Sequence, residues 1–120
     1  MTDDRRQYRD VIDRLVHSCR EGQGQIAAER ARKGVWNPNA DKTPDDMPDQ
    51  AKMNALLRRL ETDDRELLAR FFAQQFVGGV HESLVVLHAA KIPPFEDGYE
   101  GTPFHDFVGR LEDWPWPDAD

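Results

Sequence analysis

Two stretches put imidazole and carboxylate side by side: His81-Glu82, with His88 two turns on, and His105-Asp106. Imidazole titrates near neutrality and a neighbouring carboxylate can orient it, so such pairs can serve as acid–base couples or metal ligands. His81-Glu82-Ser83-Leu84-Val85 begins like the zinc-protease pattern HExxH, but Val85 stands where the second histidine is needed. On one helix His81 and His88 would lie roughly 10 Å apart along the axis. A single metal at ~2.1 Å from each ring is hard to fit between them. Ser83 beside His81 and Glu82 makes no triad, because adjacent helical residues diverge, and GxSxG is absent. Gly78-Gly79 is followed by no GKS or GKT, so it is no phosphate loop. These residues define one expectation, a small-molecule site or enzyme with a pocket between the central and C-terminal helices. Its lining would be His81, Glu82, His88, His105 and Asp106, with Tyr99 beside them. The sequence assigns no catalytic residue, metal ligand or cofactor.

A second set has interface chemistry instead. Trp36, Tyr99, Trp114 and Trp116 are large aromatics in loop and tail, and Glu96, Asp97 and Glu100 lie among them in the chain. Aromatic anchors with a charged rim are the usual make-up of a protein interface. The chain carries a net charge of −7, and residues 67–120 hold nine acidic against three basic side chains. A basic surface on another protein is the natural complement. The same balance argues against nonspecific nucleic-acid or anionic-membrane binding, which needs clustered Lys and Arg. Asp41, Asp45, Asp46 and Asp49 lack the spacing of a calcium loop. The leading expectation is therefore a small acidic, non-catalytic protein-binding module of the inhibitor, immunity or antitoxin-like, or adaptor kind. An enzyme or small-molecule binder comes second, and an oligomeric structural or assembly protein third.

The elements that must position these residues read as helices. Tyr8, Val11, Ile12, Leu15, Val16 and Cys19 form one stripe at helical spacing, with Thr2 as N-cap and Asp3 and Asp4 in the first turn. Gly22 and Gly24 end or loosen that helix, and Gln25 to Lys33 suits a second, short one. Gly34 to Pro48 holds prolines, asparagines and aspartates and reads as a long irregular loop, over about 34–47. Met53, Leu56, Leu57 and Leu60 mark a helix from about 48 to 61. Thr102-Pro103 is an N-cap and first-turn pair for a short helix carrying Phe104, Phe107, Val108 and Leu111. Trp114-Pro115-Trp116-Pro117 then reads as an extended arm.

The most apolar stretch, Leu67 to Leu87, is expected to be the element on which the others pack. Leu67, Leu68, Phe71, Phe72 and Phe76, then Val80, Leu84 and Leu87, recur at helical spacing. Each interior glycine costs about 1 kcal/mol relative to alanine, so a kink or break at Gly78-Gly79 is expected, giving two helices. The fold expected is all-α, a compact bundle of four to five helices in a single domain over residues 1–120. One cysteine, Cys19, excludes an internal disulfide. The opening residues MTDDRRQYRD have no signal-peptide core, and no apolar run reaches the ~20 residues of a membrane helix. The expected setting is the cytoplasm.

Overall fold

A computed structural model describes residues 2–99 and 101–117. It is all-α, with no strand among the described residues. The helices are α1 (Asp3–Glu21), α2 (Gln23–Lys33), the five-residue α3 (Pro38–Lys42), α4 (Pro48–Arg59), α5 (Thr62–Ala89) and α6 (Pro103–Leu111). The chain divides into two compact units, one of Met1–Arg20 with Val77–Asp120, the other of Glu21–Phe76. No helix among the described residues is long and apolar enough to cross a membrane.

In the first unit, α1 starts where the sequence places it. The Thr2 hydroxyl accepts from the Arg5 N–H at 3.2 Å, satisfying one orphan donor of the first turn. Tyr8, Ile12, Val16 and Cys19 are buried, and burial pushes the Cys19 thiol up in pKa. α6 opens on the Thr102 cap, whose hydroxyl accepts from the His105 N–H at 3.1 Å. Its inner face differs from the expected stripe. Phe107 is fully buried, but Asp106 is buried beside it while Val108 is 41% exposed. Arg110 Nε of α6 donates to Asp13 Oδ1 of α1 at 2.8 Å.

In the second unit the core is small: Ala28, Ala31, Leu57 and Ala69 are fully buried, with Trp36, Met53, Leu60, Leu68, Phe72 and Ala73 packed around them. Alanines allow close approach of helices, and Gly24 of α2 takes this to its limit. A Cβ there would lie 2.7 Å from the Phe76 Cβ of α5. Gly34 ends α2 at φ 78°, with its N–H on the Arg30 and Ala31 carbonyls and the Val35 N–H returning to Arg30. This left-handed cap is the geometry that favours glycine. Arg32 of α2 grips Glu66 of α5, with Nε to Oε2 at 2.7 Å and Nη2 to Oε1 at 3.3 Å. The Arg32 hydrogen bond holds the Glu66 carboxyl below its usual range.

The expected loop 34–47 contains a helical turn. Asn37 caps α3 by accepting from the Asn39 N–H at 3.0 Å. Asn54 of α4, fully buried, holds this segment from beneath. Its Oδ1 accepts from the Trp36 and Asn37 N–H groups at 2.7 and 3.0 Å, and its Nδ2 donates to the Asn37 carbonyl at 2.7 Å.

The expected break at Gly78-Gly79 is absent: α5 is one 28-residue helix. Two glycines cost about 2 kcal/mol of helix propensity, which backbone hydrogen bonding and packing along the rest of the helix outweigh. The helix ends after Ala89, where Lys91 turns left-handed at φ 57° and the Ile92 N–H returns to the Leu87 carbonyl. No side chain explains the glycines, because a Cβ at Gly78 or Gly79 would meet nothing within 4 Å. Gly78→Ala and Gly79→Ala are therefore each expected to stabilise the chain by about 1 kcal/mol, read by urea unfolding. A destabilising result at either position would mean that another backbone lies against it.

Candidate functional site

A buried polar cluster in the first unit ties α1 to α6. Tyr8 Oη donates to Asp106 Oδ2 at 2.5 Å, and the Tyr99 N–H donates to the same oxygen, also at 2.5 Å. Around it the Tyr8 ring meets Phe95 at a tilt and Trp116 edge-on, and Tyr99 contacts Trp116. The Arg5 guanidinium lies 4.5 Å from the centre of the Tyr99 ring. A depression of about 330 Å³ opens beside the cluster, lined among others by Arg5, Tyr8, Pro93, Glu96 and Asp97.

Burial, the hydrogen bond to Asp106 and the nearby Asp106 charge push the Tyr8 phenol far above its ordinary pKa. Such a phenol does not exchange its proton near neutrality, which suits a structural tie better than an acid–base catalyst. The sign for stability follows. The folded state holds the Tyr8 proton after the unfolded chain has lost it, so the stabilising contribution is complete below about pH 10 and falls as pH rises further. Unfolding free energy is expected to drop by about 1.4 kcal/mol per pH unit above that point. In Tyr8→Phe this component of the slope is absent, which urea unfolding at stepped alkaline pH reads directly.

Of the expected histidine–carboxylate set, the two central-helix histidines share one aromatic neighbour and Asp106 turns to Tyr8 and Tyr99. His81 and His88 flank the Phe104 ring, at 5.3 and 6.0 Å between centroids, and His88 Nδ1 bonds the Phe95 carbonyl at 3.1 Å. His105 is exposed and lies edge-on to Trp114, Glu82 is exposed, and Asp106 points to Tyr8 instead. Among the described residues, no three His, Cys, Asp or Glu side chains are placed to hold a metal ion.

The aromatics expected at a protein interface are mostly engaged within the fold. Trp36 is half-buried against Phe72 at 5.6 Å and under the Arg30 guanidinium. Trp116 is half-buried, with its Nε1 donating to Asp13 Oδ2 at 3.0 Å, so the Trp-Pro arm lies along α1. Trp114 is 55% exposed, one face resting on Gly109, where a Cβ would come within 3.0 Å of the indole. Glu96 and Asp97 are exposed, Tyr99 is half-buried, and Glu100 lies outside the described residues.

Exposed apolar side chains lie on α5, the element on which the others were expected to pack. Leu67 is 48% exposed, Phe71 50% and Val86 58%. In the second unit Leu67, Phe71 and Gln75 of α5 are exposed, and in the first unit Gly78, Glu82 and Val86 are exposed.

Among known proteins, the chain matches a family model described as "Family of unknown function (DUF6547)", over residues 1–118. No curated protein and no solved structure matches the chain.

Proposed function

The chain belongs to the DUF6547 family, and we propose that it is a small, acidic, non-catalytic module that works by binding another polypeptide. The observation that supports this most is the apolar surface left out on α5, Leu67 and Phe71 in one unit and Val86 in the other, each about half or more in solvent. Burying such groups is favourable by about 25 cal/mol per Å², and a folded chain that leaves them out has a use for a partner.

Charge gives the same reading a second component. Glu96 and Asp97 are exposed in the turn after α5, in a chain of net charge −7, and would speed the approach of a basic partner. Glu100 and the exposed Trp114 belong to the same proposed contact chemistry. A cytoplasmic setting also belongs to this reading, since the single cysteine is buried and the helices hold without a disulfide.

The test is affinity capture from host lysate with the wild-type chain and with Phe71→Glu, at low and high salt, with bound chains identified by mass spectrometry. Untagged copies of the chain itself count as a bound polypeptide. Stoichiometric capture by the wild type, lost in Phe71→Glu while its helical circular dichroism is unchanged, supports the reading. Retention of no polypeptide by either form, or equal retention by both, counts against it.

A further inference from the structure

We propose that the depression beside α1 receives one arginine side chain of a basic partner polypeptide. This rests on the protein-binding reading and gives it a site within the first unit.

Shape sets the size of the occupant. The depression measures about 330 Å³ and lies between the first two turns of α1 and the turn after α5. Ligand sites run from about 300 to 1,000 Å³, so this one suits a single side chain and not a folded segment. Its lining divides by chemistry. Tyr8, Pro93 and Pro94 supply apolar surface, and the Tyr8 hydroxyl is already given to Asp106. Asp4, Glu96 and Asp97 supply three exposed carboxylates. A guanidinium on an apolar stem matches both halves, its stem along the prolines and the phenol ring and its head among the carboxylates.

Charge decides the sign. Against those carboxylates the described lining holds one cation, Arg5. That guanidinium is engaged within the fold, 4.5 Å from the centre of the Tyr99 ring and with Nη1 donating to the Gly98 carbonyl at 3.4 Å. The other aspartates of α1 are paired, Asp3 with Arg6, Asp10 with Arg14 and Asp13 with Arg110. Asp4, Glu96 and Asp97 have no ion-pair partner among the described residues. The start of α1 does not reverse this balance. Thr2 takes the Arg5 N–H, and Asp3 and Asp4 in the first turn offset the helix dipole. An anion entering here would face three like charges, whereas a guanidinium would find three acceptors.

Exposed carboxylates hold a cation weakly, and salt screens them. A capped arginine is therefore expected to bind with a Kd of about millimolar, in keeping with so small a ligand. The test is a 1H–15N NMR titration of the full chain with N-acetyl-arginine amide, and with N-acetyl-citrulline amide as its uncharged isostere, at low and high salt. One variant is Glu96→Gln with Asp97→Asn. The control is Asp63→Asn with Asp64→Asn, which removes the same charge from exposed positions of the second unit. We expect saturable shifts at the amides of residues 2–8 and 95–98, at least about tenfold weaker binding of citrulline, and weakening by salt. The 96/97 variant should bind arginine at least about threefold more weakly, and the control should bind it as the wild type does. Because these positions are exposed, the remaining amide signals should stay in place. Equal binding of the two ligands, shifts spread over the whole acidic surface, or an unchanged affinity in the 96/97 variant overturns the arginine site. In that event Phe71-dependent capture of a partner protein would leave the binding reading standing. Loss of that capture as well would remove both.

Discussion

Asp106→Ala lowers the unfolding free energy by about 3–5 kcal/mol, the range expected when one partner of a buried, charged hydrogen-bonded contact is removed. Asp106 is 7% exposed and its Oδ2 takes both the Tyr8 hydroxyl and the Tyr99 N–H. Alanine leaves those two donors facing a site from which water is largely excluded. Tyr8→Phe removes one donor and keeps the other, so about 1.5–3 kcal/mol is expected. The double variant should cost clearly less than the sum, because the two residues share one bond. Urea unfolding of the four forms completes the cycle. Additive costs would show that the Tyr8–Asp106 bond contributes nothing of its own.

Asn54→Ala is expected to destabilise by about 3–4 kcal/mol, through three lost hydrogen bonds and a small cavity. The side chain is fully buried and satisfies two N–H groups and one carbonyl of the segment at 36–37. Asn54→Asp keeps the acceptors but loses the donation to the Asn37 carbonyl and buries a charge, so it should be less stable at neutral pH than in mild acid. The local consequence is separable from the global one. Amide exchange over residues 34–47 should accelerate in Asn54→Ala under conditions where α1 and α6 remain protected. Uniform acceleration throughout the chain would mean that Asn54 supports the whole fold and not that segment.

Local pattern made α1, α4 and α6 legible, because their caps and apolar positions lie within a few residues of each other. Thr2 and Thr102 cap as their position before a helical run implies. α5 was legible as helix but not in its orientation. Leu67-Leu68 and Phe71-Phe72 are adjacent apolar pairs, and periodicity cannot say which member faces in. The structure packs Leu68 and Phe72 around Ala69 and leaves Leu67 and Phe71 half out. The glycine penalty was legible too, but weighing it against a helix's total hydrogen bonding needs the packing. Asp106 read as a companion of His105, because the residue that claims it, Tyr8, is 98 positions away. Asn54 did leave a local trace. It is a polar residue one turn before Leu57 on the same helical face, and such a position asks which backbone groups it serves.

The first unit is built from the two ends of the chain and the second from its middle, and this has a consequence for synthesis. The ribosome delivers α1 first, yet the acceptor for Tyr8 and the guanidinium for Asp13 arrive with α6, near the end. Residues 21–76 are complete well before then and can fold while translation continues. During that interval Tyr8, Ile12, Val16 and Cys19 form an uncovered greasy edge on the nascent chain. The period of greatest exposure to chaperones and proteases is thus the pause between the first helix and the last. A stalled or early-terminated message that stops short of Pro103 would release a polypeptide whose leading helix lacks the Asp106 acceptor of Tyr8 and the Arg110 partner of Asp13.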